Sequence, residues 1–70
     1  MENANTIEAT YKNTNNGGFE KVQQRNDGTL WINSDFGKGF MGWVKVSHQD
    51  LMMALQWTSA PEYVVKKFTA

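Results

Sequence analysis

His48 is the only imidazole in the chain, and an imidazole acts as a catalytic base only beside a nucleophile and an orienting acceptor. The chain has no cysteine, which excludes thiolate nucleophiles, disulfides and sulfur-rich zinc sites together. No hydroxyl pair stands near His48 to complete a nucleophilic triad from local sequence, so a plain histidine near a helix start is the simpler reading. Asp27, Asp35 and Asp50 fall at irregular spacings without a second histidine, which is no metal-ligating pattern. Gly37-Lys38-Gly39 lacks the leading glycine, the Lys-Ser/Thr ending and the following helix start of a phosphate loop; it reads as a hairpin turn. The sequence thus predicts no catalytic residue, no cofactor and no metal site.

What remains is the chemistry of binding. Phe19, Trp31, Phe36, Phe40 and Trp43 alternate along the chain with Lys21, Arg25, Lys38 and Lys45. Flat rings can stack nucleobases while basic side chains track phosphates. Trp31, Lys38, Phe40, Trp43 and Lys45 are therefore the candidate residues for single-stranded nucleic acid. Against that reading stand a formal net charge of zero, from 7 basic and 7 acidic residues, and the need of a tiny protein to fill its core with the same rings. Protein binding is the other class. Three tryptophans in 70 residues are hard to hide, and interface hot spots favour exposed Trp, Tyr and Arg. Met53 and Trp57, with Trp43 and Lys45, are the candidate residues for a protein partner. The competing arrangement folds Trp57 over the sheet edge against Tyr63 or Phe68.

The elements that must position these residues follow from periodicity. Ile7, Ala9 and Tyr11 alternate with polar residues as a half-buried strand does, and Asn13 to Gly18 reads as a loop. Phe19 and Val22 fall on opposite faces of a regular pleat, so Phe19–Arg25 is expected to be bulged or at an edge. Asn26-Asp27-Gly28 predicts a tight hairpin to Thr29–Phe36, in which Leu30 and Ile32 share a face opposite Trp31. A further strand over Phe40–Val46 would place Phe40, Val44 and Val46 on one face and Met41, Trp43 and Lys45 on the other.

Ser47-x-x-Asp50 has the spacing of a capped helix start. The helix runs to Trp57, with Leu51, Met52 and Leu55 as its core stripe and Met53 and Trp57 neighbours on another flank. Pro61 ends it. For the last segment, Tyr63, Val64 and Val65 favour a strand, and Ser59-x-x-Glu62 offers a second helix start; the strand is the expected outcome. The predicted fold class is α+β, a small antiparallel sheet of four to five strands packed against one α-helix, with residues 1–5 a disordered tail and 6–70 a single domain.

Size bounds the rest. A 70-residue chain buries a small share of its surface and commonly needs reinforcement; without disulfide or metal, a second copy of the chain is one candidate partner. No run approaches the roughly 18 apolar residues of a membrane span, and Met1–Lys12 has neither the basic start nor the apolar centre of a signal peptide, so the expectation is a cytoplasmic protein with no membrane association.

Two resemblances bear on function. The stretch from Gly37-Lys38-Gly39 through Val46-Ser47 into Leu51 and Leu55 is similar to the end of PC4-like single-stranded nucleic-acid-binding proteins. Gly17-Gly18-Phe19-Glu20, Arg25-Asn26-Asp27-Gly28 and Met53-Ala54-Leu55-Gln56-Trp57 followed by Pro61-Glu62-Tyr63-Val64-Val65 together resemble, over residues 17–65, the small phage anti-CRISPR proteins that inhibit type I-F effector complexes. That resemblance implies a non-enzymatic phage or mobile-element inhibitor, acting by protein–protein contact on a host defence ribonucleoprotein in the cytoplasm of a bacterial host. The aromatic stretch Phe36–Val46 departs from the pattern. Balanced charge argues against inhibition by nucleic-acid mimicry and for capture of a protein surface, which is the expected function; single-stranded nucleic-acid binding is the alternative.

Overall fold

A computed structural model describes residues 6–69; the expected tail, residues 1–5, lies outside them. The alternating segments form β1 (Ile7–Lys12), β2 (Phe19–Gln24), β3 (Leu30–Asp35) and β4 (Val44–Val46), followed by α1 (His48–Trp57) and α2 (Glu62–Thr69). The strands make one antiparallel sheet in the order β1-β2-β3-β4. The fold is α+β, as the pattern predicts, with two helices instead of one.

Register decides what each side chain meets. Ala9, Val22, Ile32 and Val44 lie across from one another, as do Ile7, Gln24, Leu30 and Val46, so these residues share one face. There Ala9, Tyr11, Val22 and Leu30 are buried against Leu51 and Leu55 of α1 and Val64 and Phe68 of α2. Each fully buried aliphatic contributes about 1.5–3 kcal/mol by leaving water. Two polar contacts pin this layer: the Tyr11 hydroxyl and Thr58 Oγ1 lie 2.7 Å apart, and the buried Glu20 carboxylate accepts hydrogen bonds from Asn13 Nδ2 and Ser34 Oγ. Burial pushes the Tyr11 phenol above its usual value, the bond to Thr58 opposes that shift, and the charge on Glu20 adds to it.

Three expectations are corrected. β2 is neither an edge nor bulged: it pairs over six residues with β1 and with β3. Phe19 and Val22 fall on opposite faces because both faces of this sheet carry large side chains. The segment after Gly39 is not one strand. Phe40 makes an isolated bridge to Asp35, and ladder pairing resumes only at Val44. Between them Gly42 takes φ +127°, a conformation side-chain-bearing residues avoid, and its amide donates to Asn33 Oδ1 at 2.8 Å. The alternation changes phase there, so Phe40 joins the face of Trp43 and Lys45 instead of that of Val44 and Val46.

Finally, Tyr63–Val65 is helical. The Pro61 carbonyl accepts the amides of Val64 and Val65, Glu62 pairs with Lys66 at 3.4 Å, and Val64 and Phe68, four residues apart, reach the core together. Burial of that stripe overrides the strand preference of the β-branched residues.

α1 begins and ends as its residues dictate. Ser47 Oγ accepts the Asp50 amide at 3.1 Å, the N-cap bond that its spacing predicts. At the other end Ser59 takes φ +58°, its amide donates to Gln56, and the Ala60 amide donates to Leu55 at 2.9 Å. That pair of bonds is a Schellman closure, and it turns the chain into α2. Just before β2, Gly18 lies so close to β3 that a Cβ there would be 1.9 Å from the Asp35 carbonyl oxygen.

Candidate nucleic-acid interface

The sheet face away from the helices collects the alternate residues: Glu8, Thr10 and Lys12 of β1, Phe19, Lys21 and Gln23 of β2, Trp31, Asn33 and Asp35 of β3, and Lys45 of β4. Arg25 and Trp43 continue this face just beyond the strand ends. The Arg25 guanidinium carbon lies 4.1 Å from the centre of the Trp31 ring and 5.8 Å from that of Trp43. Lys21 Nζ sits 4.4 Å over the Phe40 ring. The face thus has two aromatic stations with a cation on each. Phe19 and Phe40 flank Asp35, and Trp31 lies four residues further along β3, about 13 Å away at the usual strand rise.

Hydrogen bonds hold the Trp31 station in place. Arg25 Nε donates to Gln23 Oε1 at 2.7 Å and Gln23 Nε2 donates to Glu8 Oε1 at 2.9 Å, so the guanidinium plane is oriented from β1 across β2. Trp31 Nε1 donates to Thr29 Oγ1 at 2.8 Å, and that hydroxyl donates to Asp27 Oδ1 at 2.6 Å. The Asp27 carboxyl is held below the usual carboxylate range by the Thr29 hydroxyl first, then by the Thr29 amide, with Lys45 adding a smaller attraction. The turn itself closes with the Gly28 amide on the Arg25 carbonyl and Gly28 at φ +86°.

Charge is partitioned although the total is zero. Lys12, Lys21, Arg25 and Lys45 belong to the open face against Glu8, Asp35 and, through the Thr29–Trp31 hydrogen bonds, Asp27. Glu20 is buried on the opposite side, and the helices carry Asp50 and Glu62 together with Lys66 and Lys67. The Asp35 carboxylate is itself engaged, accepting the Gly37 and Gly39 amides at 2.7 and 3.0 Å. The amides of the Gly37-Lys38-Gly39 turn therefore already hold an internal anion. Among the described residues the only ion pair is Lys66–Glu62; on the open face Lys45 lies near enough to Asp27 to help hold that carboxyl below the usual range.

Of the candidates for nucleic acid, Trp31, Phe40, Trp43 and Lys45 come together on this face, and Lys38 sits exposed in the turn beside Asp35. Phe19, Lys21 and Arg25, part of the same aromatic and basic alternation, belong to this face too, and the register of the Asn26-Asp27-Gly28 hairpin is what aligns them with Trp31. The candidates for a protein partner are split. Trp43 and Lys45 are on the open face, while Met53 and Trp57 lie on α1, across the sheet from them. Trp57 is 82% exposed and does not pack under Tyr63 or Phe68. Asn15 Nδ2 donates to the Trp57 carbonyl, and Asn15, Met53, Gln56, Trp57 and Ser59 line a shallow depression.

His48 is exposed beside Ile7, Gln24, Leu30, Lys67 and Phe68, with no hydroxyl or thiol among them. Among the described residues there is no cluster of three metal-ligating side chains and no helix long and apolar enough to cross a membrane. Comparison with family models, curated proteins and solved structures finds no match for this chain.

Proposed function

We propose that this protein binds single-stranded nucleic acid along the open face of its sheet and performs no bond chemistry of its own. The observation that carries this reading is the collection of Phe19, Trp31, Phe40 and Trp43 with Lys21, Arg25 and Lys45 on one face. Bases stack on aromatic rings and on guanidinium planes alike, so Arg25 over Trp31 extends the platform. Two stations about 13 Å apart serve different bases of one strand, and a flexible single strand can splay its bases onto both. Stacking of this kind tolerates any sequence. Titration of a fluorescent oligonucleotide tests the reading. Affinity is expected to fall with salt at a logarithmic slope of about −2 to −3, as three or four phosphate contacts give. Absence of saturable binding at low salt overturns it.

A second reading has its own observation, the exposure of Trp57 and Met53 on α1. Exposed rings of this kind anchor protein partners, and under the anti-defence reading the partner is a type I-F effector ribonucleoprotein. Trp57→Ala is then expected to weaken capture of that complex by about 2 kcal/mol or more with helix content unchanged. Equal capture by both proteins removes this reading.

A further inference from the structure

The two edges of the sheet differ. At β1, the Lys67 ammonium reaches the Glu8 backbone carbonyl at 3.4 Å, and a lysine on a strand edge discourages further pairing. At β4, among the described residues, no side chain or loop pairs with the outer edge. The helix layer covers only one end of β4: Val46 packs against the core, while the main contacts of α1 are with β3 and those of α2 with β1. Val44 is consequently 62% and Met41 71% exposed. With Ile32, Phe36 and Val46 they line an apolar trough whose other members are Ser34 and Gly42. No charged residue lines it.

We infer that a second copy of this chain occupies that trough, pairing β4 to β4 across a two-fold axis and continuing the sheet. The neutral lining suits self-association, since in an isologous contact the same patch meets itself, residue i facing j as j faces i, and no like charges are brought together in the trough. Charge also selects the register. An axis at Lys45 would set two lysines directly opposite each other, which is unfavourable in a ladder. An axis at Val44 apposes the two Val44 side chains over the trough and sets Lys45 of each copy opposite Trp43 of the other, a cation beside a ring. It also supplies the reinforcement a chain of this size commonly needs. The inference does not depend on what the open face binds.

Sedimentation equilibrium of the full chain over about a hundredfold range of concentration tests it. The expected mass rises to twice the 8.0 kDa of the monomer. A wild-type protein that stays at the monomer mass throughout overturns the inference. Val44→Lys places like charges on the axis and is expected to give a monomer with unchanged circular dichroism; a variant that still dimerises as wild type does overturns the inference. Should Val44→Lys fail to fold, Val44→Cys decides, because it is the sole thiol of a chain without cysteine. Oxidised glutathione is expected to link it into covalent dimers faster than it links a Met53→Cys control on α1, and equal rates contradict the proposed axis.

Discussion

On the helix side of the sheet, Ala9, Tyr11, Val22 and Leu30 are sealed against Leu51, Leu55, Val64 and Phe68. On the other side Phe19 and Phe40 stay exposed and Trp31 and Trp43 half-buried, and Phe40, Trp31 and Trp43 each lie near a cation. The alternation of the strands is the same on both sides, so the difference lies in what covers them. Apolar groups that meet other apolar groups stabilise the fold and are used up by doing so. Rings that sit under Lys21 and Arg25 gain about 0.5–1 kcal/mol per exposed cation–π contact and keep area available to a ligand. Under the proposed function the faces divide their work: one holds the protein together and the other is the face offered to a ligand.

Substitutions that affect one face and spare the other break or sharpen that comparison. Leu51→Ala, at a fully buried site, is expected to cost about 2–5 kcal/mol of unfolding free energy, read by urea denaturation. Trp43→Ala is expected to cost less stability than that and to weaken oligonucleotide binding by about 1–3 kcal/mol, the worth of one stacked base. If Trp43→Ala unfolds the chain as Leu51→Ala does, the open face is structural and the contrast fails.

A smaller effect separates the faces by pH. The Tyr11 phenol is raised above its unfolded value of 10.0, so the folded chain keeps this proton longer than the unfolded chain. The stabilisation is complete below pH 10 and is lost as pH rises toward the folded value. Tyr11→Phe is expected to flatten that alkaline fall in thermal stability, whereas open-face substitutions leave it in place. Smallest of all, Lys45→Gln removes one phosphate contact and is expected to lower the salt slope of oligonucleotide binding by about 0.7 with little change in melting temperature.

The covered face was the more legible of the two in the sequence. Ser47-x-x-Asp50, the stripe Leu51 and Leu55, and the alternation of Ala9 with Tyr11 each encode their own place, because capping and burial are local or periodic. α2 was misread because the strand preference of Tyr63, Val64 and Val65 is also local, while the contact that overrides it, Val64 and Phe68 against the sheet, is not. The open face was hidden for two further reasons. A zero net charge sums over the chain and erases a partition that exists only once the strands are in register. The change of phase at Gly42 moves Phe40 to the face opposite the one alternation assigns, and no spacing rule signals where a glycine resets the pleat. Packing of Trp57 against Tyr63 or Phe68 competes with an outward flank in the sequence, and the side chain stays exposed because helical periodicity sets it apart from Leu51 and Leu55.

The three tryptophan indoles report on the central claim directly, because Trp31 and Trp43 sit on the open face and Trp57 on the helix layer. Nuclear magnetic resonance of the protein titrated with a short unstructured oligonucleotide is expected to shift the indole signals of Trp31 and Trp43 and the amides of Lys21, Arg25 and Lys45, leaving Trp57 and Met53 in place. Shifts confined to Trp57 and its neighbours, or no shifts at all, would contradict the account.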